Sequence, residues 1–182
     1  MLNLSAGNAD GIFIGNLFKR QSKKASVNKV IKLLALILIC EGVGFLGTIF
    51  TIPSIPTWYA ALNKAPFNPP NFLFGLVWTT LYFLMGVALF LVLGKKLKKQ
   101  RNPLLILFSV QLLLNFLWSV IFFGWHLPAV ALLEICLLWI SIALLIIDFW
   151  KFSKSAAILL FPYLAWVSFA ALLNLSIVLL NP

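Results

Sequence analysis

Five stretches of the chain are almost uniformly apolar, at about 31–50, 72–93, 103–123, 127–148 and 156–180, and each has the roughly 20 residues that a helix needs to cross a hydrocarbon core. They are about twice the length of a transmembrane β-strand, and a backbone in lipid must satisfy its own hydrogen bonds. Runs of this length, rich in Leu, Ile, Phe and Ala, therefore predict helices. The fold class expected is all-α, an integral membrane bundle of five transmembrane helices in residues 31–182. Residues 1–30, rich in Ser, Asn, Gly and Lys, predict a flexible basic tail on the cytoplasmic side. Within the tail, Ile12, Phe13, Ile14, Leu17 and Phe18 suit one face of a short interfacial helix.

The connector between the first two runs is different in kind. Residues 51–71 contain Pro53, Pro56, Pro66, Pro69 and Pro70, which exclude one continuous helix, yet Trp58, Tyr59, Leu62 and Phe67 make the segment too apolar for a solvated link. A connector this long is usually functional. The proline-free piece 57–64 predicts a short two-turn helix in the loop, with Thr57 as its N-cap, and Pro69-Pro70 suits the entry to the second span. Two readings stay open for the connector: a lid folded over the bundle mouth, or an anchor whose Trp and Tyr sit at headgroup level.

Composition reinforces the membrane reading. Of the 182 residues 63% are hydrophobic and 10% charged, too few charges to clothe a water-soluble surface. The net charge of +10 points to topology, with no nucleic-acid partner implied. Thirteen of the fourteen Lys and Arg fall before or at the start of the first span, between the second and third, or between the fourth and fifth; Lys64 stands alone on the other side. By the positive-inside rule the N-terminus is expected in the cytoplasm and the C-terminus outside, with a bacterial cell membrane as the setting. The basic stretch runs into a span too long for a signal-peptide core, so the first span is expected to be retained. Cys40 and Cys136 are expected as small core residues. No internal repeat is visible, which weighs against an inverted-repeat transporter.

Helical spacing then groups the polar and aromatic side chains. Gln111, Asn115, Trp118 and Phe122 share a face of the third span, with Ser119 beside them; Trp78, Tyr82 and Met85 do so on the second; Tyr163, Trp166, Ala170 and Asn174 on the fifth. If the three stripes converge under the connector they enclose a flat apolar pocket with a few hydrogen-bonding groups. The alternative is that Asn and Gln join helices, at about 0.6 kcal/mol per bond. Trp125 and Trp150, at span ends, read as belt residues. Glu41 and Glu134 each cost about 3 kcal/mol at membrane depth and by default suggest function. For Glu41 a role in packing beside Gly42, Gly44 and Gly47 is an equal reading, Glu134 reads as structural before functional, and Asp148 beside Lys151 reads as solvated. The only histidine, His126, has no partner at motif spacing, so neither metal nor haem ligation has a candidate and no cofactor is required.

The order Trp58-Tyr59, Leu62, Lys64, Pro66, Pro69-Pro70, then Val77-Trp78, Leu81-Tyr82, Met85-Gly86, resembles the signature of the tryptophan-rich sensory protein / translocator protein (TspO/MBR) family. So do Gln111, Asn115, Trp118 and Ile121 to Gly124, and Phe161-Pro162-Tyr163, Trp166, Phe169-Ala170, Leu173-Asn174. The resemblance spans about residues 40–176 and marks 31–182 as one domain of this type. It implies a membrane receptor or sensor for protoporphyrin IX-like tetrapyrroles and other flat hydrophobic molecules, held as ligands by Trp78, Asn115, Trp118, Trp166 and Ala170 beneath a lid containing Trp58, Tyr59 and Lys64. It further implies homodimers as an expectation, for which Gly42, Gly44 and Gly47 offer a small-residue face that an internal contact would use equally well.

Two departures stand out. Phe67 replaces a lid tryptophan found in many members, and Leu175 to Pro182 lacks the Tyr followed by Lys or Arg of the mammalian sterol segment, so sterol binding through it is not expected. Two alternatives to a pure receptor are a light-dependent porphyrin-degrading enzyme, carried from resemblance alone, and a proton-coupled exporter using Glu41.

Overall fold

The computed structural model describes the backbone of residues 6–95 and 97–182, with side chains from Ser26 onward except those of Lys96 and Lys98. The chain divides into two units, Met1–Ala35 and Leu36–Pro182. The tail's expected interfacial face, at Ile12 to Phe18, lies outside the described side chains. The bundle and its cleft belong to the second unit.

The helices are α1 (Ala6–Ser54), α2 (Asn71–Leu93), α3 (Arg101–Ser119), α4 (Pro128–Phe152), α5 (Lys154–Ile158) and α6 (Phe161–Leu180). Five spans, Ser26–Tyr59, Asn71–Leu93, Arg101–Gly124, Pro128–Phe152 and Lys154–Leu180, are long and apolar enough to cross a membrane. All five expected spans are present. Their ends follow from local chemistry. Pro128 and Pro162 occupy first-turn positions of α4 and α6, where a missing N–H costs nothing. Ser153, in extended backbone, separates α4 from α5 and its side chain accepts from the Ala156 N–H at 3.4 Å. Pro162 has no N–H for the carbonyl of Ile158, so the fifth span turns at Leu159–Leu160 before α6 begins.

Packing repeats at helical spacing. On α4, Ala131, Ile135, Leu138, Ile142, Leu145 and Phe149 form one buried stripe, and on α6 Tyr163, Val167, Ala170, Asn174 and Ile177 form another. With the inner faces of α2, α3 and α5 most of these make one core, while Ala131 and Ile177 join a second with Tyr59, Ile121, Phe122 and Phe123. Cys40 is buried as expected, but Cys136 is exposed on the opposite side of α4 from that stripe. The periodic pattern alone did not separate these cases, because in a bilayer both sides of a helix are apolar.

The connector departs most from expectation. No separate helix starts at Thr57. Instead α1 passes through Pro53 and continues as a π-helical turn at Ile55–Tyr59, which contains Pro56. Proline removes single hydrogen bonds, and a wider turn with hydroxyl donors restores the balance. The Thr57 hydroxyl donates back to the Pro53 carbonyl at 2.9 Å, and that of Thr51 to the Gly47 carbonyl at 3.1 Å. Thr57 thus extends the first span where an N-cap was predicted. The true loop, Leu62 to Pro70, is tied across the bundle. Asn63 and Asn181 exchange bonds at 2.9 and 3.0 Å, the Tyr59 hydroxyl donates to Asn68 Oδ1 at 2.9 Å, and the Phe67 and Phe169 rings lie 6.4 Å apart. These ties fold the loop back over the helix ends.

Candidate functional site: an aromatic cleft between the first three spans

Glycines bring α1 close to its neighbours. A Cβ on Gly86 would stand 2.7 Å from the Ile37 Cα, and one on Gly44 2.3 Å from the Tyr82 ring, so these positions let α1 and α2 touch. Gly47 meets Ser119 of α3 and Gly124 meets Phe50 in the same manner. Gly44 and Gly47 therefore serve contacts within the chain, whereas Gly42 has nothing within 4 Å of its missing Cβ.

Beside these contacts the helices leave a cleft of about 480 Å³, inside the range of roughly 300–1,000 Å³ typical of small-molecule sites. One wall comes from α1, with Glu41, Gly44, Thr48, Thr51 and Ile55 one turn apart in steps of three and four. The second comes from α2, with Phe74, Gly75, Trp78 and Tyr82; the third from Asn115, Trp118, Ser119 and Phe123. Tyr59 closes the connector end. Phe45, Ile52 and Phe72 border the cleft and are 71%, 64% and 73% exposed, so its open side is rimmed by apolar groups suited to lipid.

A hydrogen-bonded chain forms the floor. The Tyr82 hydroxyl donates to Asn115 Oδ1, Asn115 Nδ2 donates to the Tyr163 hydroxyl at 2.7 Å, and that hydroxyl donates to Gln111 Oε1 at 3.0 Å. Every member is buried and each finds a partner, which fixes the helices' rotation about their axes. Trp118 is oriented from two sides: its Nε1 donates to Asn174 Oδ1 at 3.2 Å, and its ring stacks on Phe122 with centroids 5.0 Å apart. Asn174 in turn donates to the Pro128 carbonyl at 2.7 Å.

The predicted residues thus divide. Trp78, Tyr82, Asn115, Trp118, Ser119 and Tyr59 border the cleft. Gln111, Phe122, Tyr163, Ala170 and Asn174 are buried behind it and hold those side chains in place. Trp166 is turned away: it lines a separate apolar groove between α2 and α6, and its ring meets the cleft only through Phe74, edge to face at 5.9 Å. In the lid, Trp58 packs on Phe122 and stacks against His126 at 4.4 Å, while Lys64 lies over the Tyr59 ring at 4.9 Å. His126 adopts a left-handed φ of 57°, uncommon outside glycine, in the turn that carries it to Trp58. Glu134 is buried, with neither carboxylate oxygen bonded among the described residues.

Sequence reasoning missed the α1 wall apart from Glu41 and its glycines. The signal was present, since small and polar residues at 41, 44, 48 and 51 recur at helical spacing in an otherwise apolar run.

A five-span bundle with an aromatic cleft beside a pinned, proline-rich connector defines a multi-pass membrane protein. Its lineage is clear from comparison: the TspO/MBR family model matches residues 36–180, and the chain belongs to that family. It is 48% identical over 158 residues to the tryptophan-rich protein TspO of Chlorobaculum tepidum, covering 86% of this chain and 100% of that one. It is 37% identical over 124 residues to the tryptophan-rich sensory protein of Cereibacter sphaeroides, covering 68% and 77%. Against the human translocator protein it is 39% identical over 133 residues, covering 71% and 78%. Family membership supports a membrane receptor or sensor role.

Proposed function

We propose that the chain is a receptor for protoporphyrin-like tetrapyrroles and related flat hydrophobic molecules, which it takes into the cleft between α1, α2 and α3. The observation that carries this reading is the pairing of two indoles, Trp78 and Trp118, on different walls of one apolar cavity, above a polar floor at Asn115 and Tyr82. Indole faces stack on planar rings at about 0.5–1.5 kcal/mol per pair beyond the area they bury. Trp166 acts through Phe74, and Gln111, Phe122, Tyr163, Ala170 and Asn174 position the walls. Lys64 lies over the Tyr59 ring at the connector end, outside the cavity lining, with its Nζ donating to the Ala60 and Leu62 carbonyls at 3.3 and 2.8 Å. The distribution of Lys and Arg supports a cytoplasmic N-terminus, with the lid on the outer side.

Titration of the detergent-solubilised protein with protoporphyrin IX is expected to quench tryptophan fluorescence saturably. Trp78→Ala should weaken binding about tenfold through loss of stacking and contact area. Trp150→Ala, at the far end of α4, should leave affinity unchanged. Equal affinities for the wild type and for the Trp78→Ala, Trp118→Ala double variant would remove the cleft as the binding site.

A further inference from the structure

The cleft contains one charged side chain. Glu41 lies in the α1 wall, next to the contact of Gly44 with Tyr82, and no Lys or Arg borders the cavity. Among the described residues Glu41 forms no ion pair; the ion pair present joins Lys151 and Asp148 on α4. Most other polar groups of the wall are committed within the protein. Thr48 donates to the Phe45 carbonyl at 2.6 Å, Thr51 to that of Gly47 at 3.1 Å, and Tyr82 and Asn115 bond each other. The carboxylate thus stands available to an occupant. The cavity that Glu41 borders is also lined by the rings of Phe45, Phe72, Trp78, Tyr82 and Trp118, with Tyr82 at the neighbouring Gly44 contact, and the face of an aromatic ring carries negative quadrupole charge.

Both features favour the same kind of guest. A carboxylate attracts a positive group by charge-assisted hydrogen bonding or simple Coulomb attraction, and aromatic faces attract it through cation–π interaction. Both are strengthened where water is scarce. The mouth between Phe45, Ile52 and Phe72 opens on an apolar rim, from which amphiphilic cations dissolved in the bilayer reach the site sideways.

The geometry points to Glu41 as a specificity-determining residue that selects, among flat aromatic ligands, those bearing a positive charge. This rests on the cleft being the ligand site, and it adds a second class of guest to the tetrapyrroles.

The test uses two tricyclic probes of matched shape, the permanent cation N-methylacridinium and the neutral 9-methylanthracene, with the full chain in detergent and in lipid nanodiscs. The wild type is expected to bind the cation more tightly. Glu41→Gln should lower affinity for the cation about tenfold relative to affinity for the neutral probe. Glu41→Asp, which keeps the charge, should retain most of the preference, and serves also if the glutamine variant fails to fold. Equal binding of the cation by the wild type and Glu41→Gln, or an equal loss for both probes, overturns the assignment while leaving the cleft reading intact. Failure of the wild type to bind either probe or protoporphyrin IX overturns both.

Discussion

Replacing Gly86 by valine is expected to destabilise the bundle by about 3 kcal/mol, the upper part of the range for overpacking a close contact. A side chain at this position would meet the Cα of Ile37 at 2.7 Å and its backbone nitrogen at 2.9 Å. Neither atom can rotate aside, so relief requires that α1 move away from α2. Ile37 and Gly86 lie four residues along their helices from Glu41 and Tyr82 of the cleft, and a displaced α1 would carry off the wall formed by Glu41, Gly44 and Thr48. Thermal unfolding in detergent should therefore show a large fall in midpoint together with loss of protoporphyrin quenching. Gly75→Ala is the control. Gly75 lies on the same helix with nothing within 4 Å of a Cβ, so alanine there should be neutral or slightly stabilising. Matching midpoints for Gly86→Val and Gly75→Ala would refute the close contact.

A second large effect is expected at Asn115. Leucine has nearly the same size but can neither accept from the Tyr82 hydroxyl nor donate to that of Tyr163. Tyr82 would lose its acceptor inside the bundle; Tyr163 would keep its bond to Gln111. A buried polar group left without a partner costs about 1–3 kcal/mol, whereas hydrogen bonds between membrane helices average nearer 0.6 kcal/mol, so a loss of about 2 kcal/mol is expected. A double-mutant cycle isolates the cause. Asn115→Leu combined with Tyr82→Phe removes both partners, and the pair should be less destabilised than the sum of the single changes by about 1 kcal/mol. Strict additivity would mean that the bond between Tyr82 and Asn115 contributes nothing to stability.

The two polar networks explain why tryptophans far apart in sequence come to one place. Trp118 is held by Asn174 and Phe122, and Asn174 is itself tied to the start of α4 at Pro128. Trp78 packs against Tyr82 at 5.9 Å and Tyr163 at 6.2 Å, both members of the Asn115 chain. Each indole on the cleft is thus positioned by a buried polar side chain on another helix. In a bilayer these directional bonds orient helices that a general apolar attraction cannot, since lipid and core are equally apolar.

The amino-acid order by itself determined the number of spans, because length and hydropathy suffice where the solvent is hydrocarbon. It also determined the grouping of Trp78 with Tyr82, and of Asn115 with Trp118, since helical geometry places residues three and four apart on one face. It did not determine which face meets which. Trp166 shared its stripe with Tyr163 and Asn174, yet a small turn of the helix sends its ring to the groove on the other side of α2. Nor did proline count reveal that α1 runs on through Pro53 and Pro56, because the compensating bonds come from a π-turn and from threonine hydroxyls. Only tertiary packing decided that the first span supplies a wall in place of the fifth. Its glycines determine how closely α1 approaches, and closeness is a relation between two helices that no single helix encodes.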